Sequence, residues 1–137
     1  MRERTPPDAA ILDELRSICS RLPGVHEEQA WVGTRWTVRT KNFAHVVVIR
    51  DGWPAAYAEA CRSDGPITVL TFRSPPEELE ALSNVGHPFF KPVWFDDIVG
   101  MVIDRATDWQ EVAELVTESY CWLAPNKLVE QVRRPGT

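Results

Sequence analysis

Cysteine is scarce in this sequence and scattered where it occurs. Cys19, Cys61 and Cys121 are the three in 137 residues, and no Cys-x-x-Cys appears. An odd, widely spaced set argues against a disulfide framework and a zinc knuckle, so all three are read as free thiols. Phosphate-cradling loops are missing too: neither Gly-x-Gly-x-x-Gly nor Gly-x4-Gly-Lys-Ser/Thr occurs. No Gly-x-Ser-x-Gly elbow places a nucleophile, so Ser119 and Cys121 have no local partner for a catalytic dyad. His26, His45 and His87 lie far apart, none four residues from another, and no metal centre is expected. The longest apolar runs, such as Val46 to Ile49, are far too short to cross a bilayer. Met-Arg-Glu-Arg-Thr-Pro-Pro, at the start, lacks the apolar stretch of a signal peptide, and a cytoplasmic location is the default. Internal repeats, low-complexity tracts and a dividing linker are likewise absent.

What is present describes a folded body. Hydrophobic residues make up 44% and charged residues 26%, the balance of a globular chain. Its length suits one domain over 1–137, with an ordered core at about 8–125. The net charge of −5 is unevenly spread. Residues 74–124 hold two basic and ten acidic side chains, a local −8, and that field repels polyanions.

Elements follow from period and punctuation. Asp8 caps a first helix with Ile11, Leu15, Ile18, Cys19 and Leu22 on one face, and Pro23-Gly24 ends it. A short strand is expected over Gln29 to Val32. Arg35 to Arg39 then alternates with period two, Thr40-Lys41-Asn42 turns the chain, and Phe43 to Ile49 is apolar on both faces, as a central strand should be. Residues 53–66 remain open between a short helix and an ordered loop. Ile67 to Phe72 is a further strand. Ser74-Pro75-Pro76-Glu77 has the form of a capping box opening a short helix to about Leu82. The stretch from His87 onward supplies a loop, a last strand from Ile98 to Ile103 and a helix capped by Asp108. Val112, Leu115, Val116, Tyr120 and Leu123 form its stripe, flanked by Trp109 and Trp122. The tail to Thr137 is either loosely held or packed through Leu128 and Val132. This order indicates an α+β domain: one antiparallel sheet with helices packed on one face.

Candidate chemistry is thin. Arg35 and Arg39 share one face of a strand, Lys41 sits at the turn beside them, and Trp36 and Phe43 lie adjacent. Such a ribbon could meet phosphates and stack bases; a solvated strand face over a buried Trp36 is the plainer alternative. Glu77, Glu78 and Glu80 fit the first turn of a helix, and Asp96-Asp97 reads as turn chemistry, so no acid/base pair is assigned. No catalytic residue and no cofactor is expected, and an enzyme is disfavoured. A small pocket among Phe43, His87 and Trp94 is a further candidate.

Several segments in order resemble the MmcQ/YjbR family of small bacterial proteins. They are Leu22-Pro23-Gly24-Val25 with Glu27-Glu28, Val38-x-x-Lys41-x-Phe43-Ala44, Leu70-Thr71-Phe72-Arg73, Gly86-His87-Pro88-Phe89-Phe90, Val99-Gly100-x-Val102-x-Asp104, and Asp108-Trp109-x-Glu111-Val112 running to Glu118-Ser119-Tyr120 and Ala124-Pro125. The resemblance spans about Ile11 to Leu128. It implies a secretion-chaperone-like or CyaY-like sheet backed by helices, and a family label of DNA-binding protein. On that label Arg35, Trp36, Arg39, Lys41 and Arg73 are the residues to face DNA. Where the family pattern leads one to expect Trp with a basic approach, this chain has Ile98 after Phe95-Asp96-Asp97. The second expectation is a protein-interaction or chaperone-like module, docking a partner or a second copy on the sheet face or an edge strand.

Overall fold

Val46 and Val47 are neighbours in sequence and both are buried, so the strand that carries them must be covered on two sides. A computed structural model describes residues 6–135 and shows how. The strands are β1 (Val25–Gln29), β2 (Thr34–Val38), β3 (Lys41–Ile49), β4 (Ile67–Arg73), β5 (Phe89–Phe90) and β6 (Ile98–Ile103). They form one antiparallel sheet in the order β1-β2-β3-β4-β6-β5, with β3 inside it. The helices are α1 (Ala9–Cys19), α2 (Ala55–Cys61), α3 (Pro76–Val85), α4 (Trp109–Leu123) and α5 (Asn126–Val129). Met1–Thr5 and the last two residues of the tail lie outside the described residues.

Strand register sorts the core into two layers. Val46, Leu70 and Met101 are cross-strand neighbours on one face, where Leu15 and Cys19 of α1 and Val112, Val116 and Tyr120 of α4 cover them. Leu79 and Leu82 of α3 and Leu128 of α5 pack against the same layer, as does Val132 of the tail. The α+β class and the helix-backed sheet are as the sequence implies. The other face carries Val47, Val69 and Val102, and the stretch left open at 53–66 supplies α2, whose Ala58 and Tyr57 close over them.

One irregularity matters for the site. Trp36 pairs with Ala44 but Thr37 pairs with Asn42, so Phe43 is the extra residue of a β-bulge. The bulge turns Phe43 into the α4 layer, where its ring meets Tyr120 edge-on at 5.4 Å.

Four boundaries differ from expectation. The first strand is Val25–Gln29 rather than Gln29 to Val32, because pairing with β2 outweighs its lack of apolar alternation. The turn before β3 is made by Arg39 and Thr40, both left-handed, and not by Asn42. Ser74 does not cap α3: its hydroxyl donates to the Pro75 carbonyl at 3.2 Å, and the N-cap position is Pro75. That helix also continues past Leu82 to Val85. Asp108, in contrast, caps α4 as expected, accepting from the Gln110 and Glu111 amides.

Candidate interaction surface

One arginine of the hairpin, Arg35, is already occupied. Arg35 Nε donates to Glu28 Oε1 at 2.6 Å, directly across the β1–β2 pairing. Glu27, on the opposite face of β1, takes Arg16 in a fork (2.9 and 2.8 Å) and also accepts Trp36 Nε1–H at 3.1 Å. Trp36 is 1% exposed, so it cannot stack on a base. Arg73 binds Asp97 at 2.6 Å. Of the expected DNA-facing set, then, Arg35 and Arg73 are neutralised by carboxylates and Trp36 is core. Arg39 and Lys41 remain exposed at the β2–β3 turn.

The proposed pocket of Phe43, His87 and Trp94 does not assemble. Phe43 is buried in the α4 layer because of the bulge. His87 is exposed just before β5, beside a cavity of about 220 Å³ shared with Asp104 and Glu111. Trp94 crosses the opposite face of the sheet and lies against Tyr57, ring centroids 4.5 Å apart. The three residues therefore occupy three different parts of the fold.

Trp94 does join another group. His45 Nε2 lies 2.6 Å from the Val32 carbonyl, which only accepts, so Nε2 carries the proton and Nδ1 accepts from the Tyr57 hydroxyl at 3.2 Å. Burial keeps this histidine below its ordinary pKa and pushes the Tyr57 phenol up to about 12. Both groups are neutral at pH 7, which describes a satisfied structural network rather than an acid/base pair.

At the end of the sheet where β4 stops and β6 begins, a different arrangement forms. Asp97 Oδ1 takes Arg73, and its Oδ2 accepts the Trp122 indole N–H at 3.4 Å. The Arg73 guanidinium also lies 5.0 Å from the Phe95 ring centroid and reaches the Asn42 carbonyl at 3.4 Å. Lys91 Nζ donates to the carbonyls of Pro92 and Phe95 (2.5 and 2.8 Å), pinning the 91–97 loop. The loop is thereby held with Val93 92%, Phe95 58% and, beside Asp97, Trp122 46% exposed. Large apolar groups held in the open around an anchored ion pair make a surface that loses little entropy when covered. In the sequence, Asp96-Asp97 has the form of a turn and Trp122 flanks a helix stripe. Nothing local to either stretch reveals that Asp97 joins them.

Among the described residues no group of His, Cys, Asp and Glu could hold a metal ion, and no helix is long and apolar enough to cross a membrane.

No curated protein matches this sequence significantly. A structure from Deinococcus radiodurans carrying the family-model domain DUF419 is similar at TM-score 0.62 and 18% identity, over 92% of this chain and 90% of that one. A Pseudomonas syringae protein is similar at TM-score 0.61 and 13% identity, over 85% and 97%. At these identities the likeness is one of fold. The YjbR family model, however, matches residues 20–122, from the end of α1 nearly to the end of α4. The order of segments in the sequence and the sheet they build agree with that match, and the chain belongs to the YjbR family.

Proposed function

We propose that this chain is a non-enzymatic protein-interaction module, and that the sheet end around the Arg73–Asp97 pair is its docking surface. The observation that carries this reading is the exposure of Phe95, Trp122 and Val93 around an ion pair that is itself half-buried. Trp, Phe and Arg are the residue types that dominate the energetics of protein interfaces. Nucleic acid is disfavoured at the same place. Asp96 and Asp97 put negative charge among the aromatics, and Arg35 and Arg73 have spent their charge on carboxylates.

Two measurements test it. In a titration with duplex DNA at about 50 and about 200 mM salt, no saturable binding is expected. Saturable binding that disappears in Arg39→Ala/Lys41→Ala would replace the proposal with the DNA reading. Crosslinking capture is then run with the unaltered chain and with Phe95→Ala/Trp122→Ala. A stoichiometric protein partner, or a second copy seen by light scattering, should be retained by the first and lost by the second at unchanged melting temperature. A partner held equally by both, or none at all, overturns the assignment.

A further inference from the structure

The two flanks of α4 differ in charge. Toward α3 it presents Glu111, Glu114 and Glu118; toward α1 it presents Gln110 and Thr117. On this second flank a cavity of about 510 Å³ opens between α4, the end of α1 and the segment 131–135. That volume lies in the small-ligand range of roughly 300–1,000 Å³. Three arginines line it: Arg21, Arg133 and Arg134. Arg134 is tied to Glu118 by its Nε at 2.8 Å. Among the described residues, Arg21 and Arg133 have no carboxylate within ion-pair distance. With Arg134 already paired, two cations, Arg21 and Arg133, line this concavity without a carboxylate of their own, and an anion placed there meets their unspent charge.

We propose that this cavity binds a small organic oxyanion: a phosphate or carboxylate head carried on a short apolar body. Guanidinium forks match both heads bidentately. Gln110 and Gln131 each spend one amide N–H, on Glu114 Oε1 and the Lys127 carbonyl respectively, which leaves each a second for the ligand. Ile18 and Leu22 supply an apolar wall for the body. A duplex fits poorly, because the carboxylates of Glu111, Glu114 and Glu118 flank the same helix and would face its phosphates. The site shares no residue with the Arg73–Asp97 surface, so either assignment can fail without the other.

The test uses the full chain and three probes: phenyl phosphate, benzoate and inorganic phosphate. NMR follows the arginine Nε–H and glutamine side-chain amide resonances. Saturable shifts at Arg21, Arg133 and Gln110 are expected, with an aromatic probe binding more tightly than inorganic phosphate. Phenyl phosphate alone binding well assigns a phosphate ligand, and benzoate matching it assigns a carboxylate. Arg21→Gln/Arg133→Gln should weaken binding about tenfold or more, and Arg39→Gln/Lys41→Gln should not change it. No saturation by about 10 mM probe, or unchanged affinity in the cavity variant, overturns the proposal. Duplex DNA shifting the same resonances more strongly also overturns it, in favour of nucleic acid.

Discussion

The Ser119 hydroxyl donates to the Phe43 carbonyl at 2.6 Å, joining α4 to the bulge of β3 across 76 residues of chain. The same oxygen accepts the Arg73 amide N–H at 2.8 Å, so one buried side chain serves two strands where the β-ladder is interrupted. Ser119→Ala removes almost no volume but leaves a donor and an acceptor without partners. It should destabilise the fold by about 2–3 kcal/mol, measured by urea denaturation with unchanged m-value. A loss under about 0.5 kcal/mol would mean that the bulge satisfies itself by other means.

His45 gives stability a pH dependence whose sign can be worked out. Burial lowers its pKa most; the Val32 carbonyl opposes the shift and Arg35 adds to it. A histidine held below its ordinary value of 6.5 stabilises the fold while neutral, above the unfolded pKa. That contribution is lost as pH falls below the unfolded value toward the folded one. Stability should therefore decline between about pH 7 and pH 5, and His45→Gln should flatten this slope while costing about 1 kcal/mol at pH 8. An equally steep slope in the variant would assign it to another group.

Arg39 and Thr40 form the two-residue turn between β2 and β3 with φ of 50° and 68°. Both positions suit Asn-Gly, and a β-branched Thr in the left-handed region costs more than most residues. Arg39→Asn/Thr40→Gly should raise stability by about 1–2 kcal/mol, read as a higher melting temperature. No gain would show that the turn is stabilised by contacts of the native side chains.

Much of this fold is readable along the chain. Asp108 with Val112, Val116 and Tyr120 announces α4, and the doubly apolar run at Val46–Ile49 announces a covered central strand. What escapes is whatever depends on pairing between distant segments. His26, Glu27, Glu28 and Gln29 have no apolar period, so β1 is misplaced, and with it goes the register that sets Glu28 opposite Arg35. A ribbon that looks cationic in sequence therefore has Arg35 paired in space, with Arg39 and Lys41 left exposed at its turn. The Arg73, Phe95, Asp97 and Trp122 surface was hidden for the same reason, since it is built from β4, a loop and α4.

The carboxylates of β1 bear on how this protein behaves when crowded. β1 is the long outer strand of the sheet, and an outer strand invites stray chains to add on and grow fibres. Here Glu27 and Glu28 project from its two sides, each clamped by an arginine of the same molecule. The hydrogen bond from Arg16 holds the Glu27 carboxyl below its ordinary pKa, so the Glu27 side of this guard keeps its charge to lower pH than a looser glutamate would.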